Sequence, residues 1–180
     1  MVSLIFLIAA FALGLSVEDP KARDEATQAR VSWHINTAMG ALVFSALVHA
    51  IVLTYLMGTG RWMEETSRSY ALPPEMLAEG QRIKYRTIPA MVAVLGLLIA
   101  TAALGSMADP ASPSSGKPSF GIAASTIHLA AAITTVAAHL FVAYWEYIAL
   151  HRNGELIQQA MDKIKDLDPV HGNNAILTLD

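Results

Sequence analysis

The chain of 180 residues contains no cysteine. That absence excludes disulfides, thiolate metal sites, iron–sulfur clusters and covalent c-type heme attachment. Charge is also scarce, at 15% of residues against 54% hydrophobic. An ordinary soluble domain carries about 25% charged residues, so the composition is that of an integral membrane protein. With a formal net charge of −3, the chain lacks the basic excess of a nucleic-acid binder. It also has no H-E-x-x-H motif, and "GTGRW" is too short and wrongly placed to cradle a phosphate. The eight methionines are scattered rather than clustered as a copper pathway needs.

What is present is a series of long apolar runs, which predicts an all-α helical bundle in the membrane with short loops. The expected spans are about 2–16, 31–57, 88–107 and 120–150. The first block, "MVSLIFLIAAFALGLS", reads either as a retained span or as a signal or partial anchor, so the bundle has four spans, or three after cleavage. A charged linker, "EMLAEGQRIKYR", is expected ahead of the third span, with Pro89 near that helix's start, where proline is tolerated. Within that span Ala93, Gly96, Ala100 and Ala103 recur at helical steps that admit a close helix neighbour. Residues 108–119 form a breaker-rich loop. Residues 151–180 read as an amphipathic cytoplasmic helix followed by a loose tail.

Basic residues set the expected orientation. Arg61, Arg68, Arg82, Lys84 and Arg86 fall in the 58–87 segment, and Arg152, Lys163 and Lys165 follow the last span, whereas the 108–119 loop has only Lys117. The 58–87 segment and the C terminus are therefore placed in the cytoplasm, in keeping with a bacterial inner membrane.

Two of the spans each carry two histidines in apolar surroundings: His34 and His49 in one, His128 and His139 in the other. Intramembrane ionisable residues are costly and point to function. At about 100° per residue, the 15 steps from His34 to His49 rotate by about 60° and the 11 steps from His128 to His139 by about 20°. Each pair thus shares a face, with axial separations of roughly 22 Å and 16 Å. Ala38, Ser45, Ala46, Ala132 and Thr135 on those faces are small. His151 and His171 lie outside the apolar cores and read as solvated.

Two parallel helices, each with an upper and a lower histidine, form a pattern that resembles the diheme b-type cytochromes of respiratory and photosynthetic membranes. The resemblance covers two spans and four residues, and the unequal spacings of 15 and 11 depart from the nearly matched spacings of that family. It implies one or two hemes b, with His34 and His128 as iron ligands of an outer site and His49 and His139 of an inner one. It further implies an electron-transfer subunit whose partners are the lipid bilayer, other membrane subunits and a quinone or redox protein.

Two other readings stay open. One is a non-catalytic transmembrane subunit at the edge of a larger complex, in which the histidines only bond neighbouring hydroxyls. The other is a proton or ion path through His49, His139 and Glu146, the last also explicable as a carboxylate snorkelling in an aromatic belt with Tyr144, Trp145 and Tyr147.

Overall fold

The computed structural model describes residues 2–17, 19, 22, 24–109 and 121–167. Most of the 108–119 loop, His171 and the tail lie outside them. Four helices make up the described chain: α1 (Val2–Leu15), α2 (Glu25–Tyr70), α3 (Pro74–Ala108) and α4 (Ala124–Leu167). The last three are long and apolar enough to cross a membrane. At 14 residues, α1 falls short of the roughly 20 that a span requires.

The chain divides into two compact units, and the division falls inside α2, α3 and α4. One comprises Met1–Ala50 with Met91–Ala143, the other Ile51–Ala90 with Tyr144–Asp180. In the first, all four helices pack through small contacts. Leu7, Ala41 and Leu98 form its apolar nucleus, and Phe6 of α1 lies over Gly40 and stacks on Phe44 of α2 with ring centroids 4.9 Å apart. A side chain at position 40 would collide with the Phe6 ring, so glycine there sets how closely α1 approaches.

The second unit corrects the expectation of a linker and of Pro89 near a helix start: the charged segment 75–86 is the first part of α3, which begins at Pro74. The helix expected after residue 150 is present, and residues 151–167 run on from α4 without a break. Buried positions accompany the continuity: Asn153, Leu156 and Ala160 of α4 are buried, as are Leu56, Met63, Met76 and Ile83 of α2 and α3. The Asn153 amide donates to Thr59 Oγ1 at 3.0 Å, and the Thr59 hydroxyl donates to the Tyr55 carbonyl at 2.9 Å. Arg61–Glu65, Arg68–Glu64 and Lys165–Asp162 are exposed pairs three or four residues apart on a single helix, and such pairs contribute little. Pro89 sits well inside α3, where its missing N–H leaves one helical carbonyl without its usual donor. Ala71, at φ 50°, turns the chain from α2 to α3, a left-handed conformation that glycine would adopt with less strain.

Buried fractions support membrane residence. Only 28%, 22% and 17% of the most apolar windows of α2, α3 and α4 are covered by the protein itself. Side chains such as Val43, Ile51, Val92, Ile99 and Phe141 are more than half exposed, a surface suited to lipid and not to water.

The start of α2 is capped by Asp24, whose Oδ1 accepts the Thr27 N–H at 2.9 Å. That bond, made chiefly to the backbone amide, holds the Asp24 carboxyl below the usual carboxylate range. A lowered acid contributes stability that is full above its unfolded-state pKa and is lost as pH falls through the folded one. The Thr27 amide resonance should therefore titrate with a midpoint below that of a free aspartate; a midpoint at the free value would contradict the cap.

Candidate functional site

All four histidines of the apolar runs belong to the first unit, and the structure brings them together in the expected pairs. The rings of His34 (α2) and His128 (α4) have centroids 6.2 Å apart at 75°. Those of His49 and His139 are 5.3 Å apart at 57°. The second pair is buried, with 3% and 2% of its surface exposed; the first is half-buried.

The spacings differ by four residues, 15 less 11, which is roughly 6 Å of helix. Both pairs still meet. The extra turn falls in the middle of α2. At the ends, the two helices match. Each of His34 and His128 is followed four residues later by alanine, Ala38 and Ala132. Each of His49 and His139 is preceded four residues earlier by a hydroxyl, Ser45 and Thr135. Both hydroxyl residues are fully buried. The Ser45 hydroxyl has no hydrogen-bond partner among the described residues. Ala46, expected on the same face, points outward.

His34 and His128 are tied to helix backbone. His34 Nδ1 lies 2.8 Å from the Ala10 carbonyl oxygen of α1, and His128 Nδ1 lies 3.1 Å from the Thr101 carbonyl oxygen of α3. A carbonyl only accepts, so each Nδ1 carries the proton; in a neutral ring, Nε2 then holds the lone pair. This is the arrangement found behind most metal-ligating histidines, where a backbone carbonyl or carboxylate takes the second ring N–H.

Thr101 also joins α3 to α4. Its hydroxyl donates to the Leu97 carbonyl at 2.9 Å, so in the 2.6 Å contact with Thr135 Oγ1 Thr135 is the donor. Between the helices lies a cavity of about 70 Å³, lined by Ala10, His34, Ala38, Thr101, His128 and Ala132 among others. At that volume the space admits a tetrapyrrole only if the helices part.

The donor set limits the chemistry. Among the described residues no group of three or more His, Asp or Glu converges on one point, which leaves no closed protein-only tetrahedral site. Two facing imidazoles can supply two ligands to a metal whose other ligands come with it. With metal–nitrogen bonds of about 2.0 Å and about 1.1 Å from ring nitrogen to ring centre, a collinear arrangement puts the centroids about 6.2 Å apart. The His34–His128 centroids are 6.2 Å apart and those of His49–His139 5.3 Å, so the second pair would have to open by about 0.9 Å, 6.2 less 5.3, to reach that separation, and ligation in either pair further requires both Nε2 atoms to turn toward the metal.

Glu146 is buried, at 4% exposure, while Tyr144 and Tyr147 beside it are largely exposed. The expectation of a snorkelling carboxylate is therefore corrected; the side chain turns inward within the second unit because it falls on the buried stripe of α4. His151 is solvated, as expected, 3.3 Å from Glu155 and stacked on Tyr147. The residues missed in the sequence are Ala10, Thr101, Gly14 and Gly105. An isolated glycine in an apolar helical run was the available signal, because such a glycine usually has a packing reason.

Comparison with protein-family models, with curated proteins and with solved structures gave no match. The functional reading accordingly rests on the geometry.

The Thr101–Thr135 bond should be measurable. Hydrogen bonds between membrane helices contribute about 0.6 kcal/mol on average. A double-mutant cycle with Thr101→Val and Thr135→Val, followed by unfolding in detergent, should give a coupling energy of about that size; zero coupling would contradict the bond.

Proposed function

We propose that the chain is a membrane-embedded, heme b-binding electron-transfer subunit of a respiratory or photosynthetic complex. The observation that carries the reading is the meeting of the four histidines in two pairs on α2 and α4, one of them with both Nδ1 atoms engaged by helix carbonyls. His34 and His128 would hold one iron and His49 and His139 a second, and heme so bound supplies one-electron chemistry. The protein's own part is to orient the imidazoles, keep water away from the buried pair and fix the distance between sites. In this reading α1 joins the other three helices in the bilayer, and the C terminus lies in the cytoplasm beneath a bacterial inner membrane. A quinone or a redox protein delivers or collects the electron.

A second reading, a non-catalytic subunit at the edge of a larger complex, draws on one feature. The small face of α3, Ala93, Gly96, Ala100 and Ala103, is exposed, and a Cβ on Gly96 would meet nothing within 4 Å. The two readings differ in what the histidines do: in the first they ligate heme iron, in the second they serve packing alone.

Protein purified gently from its native membrane should show sharp b-type bands in a dithionite-reduced minus oxidised spectrum, with two hemes per chain by pyridine hemochrome. His139→Leu should lower that count to one. A flat spectrum, or a count unchanged by His49→Leu and His139→Leu, would return the histidines to packing.

A further inference from the structure

The two carbonyls that engage the histidines share a local design. In α1 the acceptor is Ala10, and glycine follows four residues later at Gly14; in α3 the acceptor is Thr101, and glycine follows four residues later at Gly105. In both cases the glycine lies against the same ring that the carbonyl binds. A Cβ at Gly14 would stand 2.9 Å from His34 Cε1 and 3.1 Å from its Nδ1. A Cβ at Gly105 would stand 2.9 Å from His128 Cε1 and 3.3 Å from its Nδ1.

Helix geometry gives the reason. The carbonyl of residue i already accepts the N–H of residue i+4, so a second donor must approach it past that residue. Any side chain there blocks an imidazole; hydrogen alone lets it in. The carbonyl has two lone pairs and can serve both donors. Each glycine is otherwise unfavourable within a helix, and Gly96 of the same α3 meets nothing within 4 Å, so close contact is not general to this chain's glycines.

We infer that Gly14 and Gly105 are positioning residues: with the carbonyls of Ala10 and Thr101 they form a duplicated device that fixes His34 and His128 as Nδ1–H tautomers, each presenting its Nε2 lone pair as a ligand. The inference deepens the heme reading, on which it rests only for what the two lone pairs would hold. The device belongs to the protein alone and operates before any group is bound. In the loaded protein it makes each imidazole a stronger donor, because the carbonyl draws on the opposite N–H.

The test uses the full chain in lipid nanodiscs, made in a heme-deficient host with nitrogen-15 histidine, with ring resonances assigned by His34→Gln and His128→Gln. At a pH where the rings are neutral, both histidines should show a protonated Nδ1 and a bare Nε2. Gly14→Ala should remove that signature from His34 alone, Gly105→Ala from His128 alone, and Gly96→Ala from neither. In a heme-replete host, either of the first two variants should weaken heme retention at one site about tenfold or more, leaving the other site intact. A protonated Nε2 on either ring of the unmodified protein overturns the inference without recourse to any variant. So does an unchanged signature in a folded Gly14→Ala or Gly105→Ala protein. The heme reading fails separately: locked tautomers that respond to the glycine substitutions, in a protein that takes up no heme from the replete host, would keep the device and discard the cofactor.

Discussion

A neutral imidazole carries one donor and one acceptor nitrogen, and in the hydrocarbon of a bilayer no water serves either. That constraint organises the first unit. For His34 and His128 the donor nitrogen is met by helix carbonyls that are already occupied in the ordinary helical way, and the approach is opened by glycine. This requirement explains why α1 matters although it is too short to be counted as a span on its own: it brings the Ala10 carbonyl to His34 as α3 brings the Thr101 carbonyl to His128. The site is therefore made by two similar helix pairs, α1 with α2 and α3 with α4, facing each other across the two histidines.

Polar residues in this chain mark the inside. Along α4 the buried positions Thr135, His139, Val142, Glu146, Ala149, Asn153, Leu156 and Ala160 recur at alternating steps of four and three, the spacing of a packed helical seam. Half of them are polar or ionisable, while large apolar residues between them face outward. In water the ordering would be reversed. Here lipid is as apolar as the core, so small and polar side chains settle at helix contacts, where they find partners and let backbones approach.

The same inversion explains what could be read from the sequence. The helical class and the shared faces of His34 with His49 and of His128 with His139 were legible from apolar runs and helical periodicity, whereas the grouping of His34 with His128 and of His49 with His139 came from the resemblance to diheme cytochromes. The membrane border was harder: α3 begins at Pro74 and α4 runs to Leu167, because charged residues can extend a membrane helix when one face still finds burial, as Asn153 and Leu156 do. Ala46 was misplaced because two adjacent helical residues stand about 100° apart, and the face holding Ser45 excludes its neighbour. The glycines of the device left a signal as isolated glycines in apolar helical runs, but its carbonyl half was out of reach, since a backbone acceptor has no letter in the sequence and the mate of His34 lies on another helix, 24 residues away.

The central claim is the pairing itself, and the absence of cysteine makes it directly testable. Cysteines replacing both members of a pair, His34 with His128 or His49 with His139, should be joined within one chain by a short bifunctional thiol reagent in native membranes. The crossed combinations, His34 with His139 and His49 with His128, should remain unjoined under the same conditions. Equal joining of matched and crossed combinations, or joining of the crossed ones alone, would contradict the account.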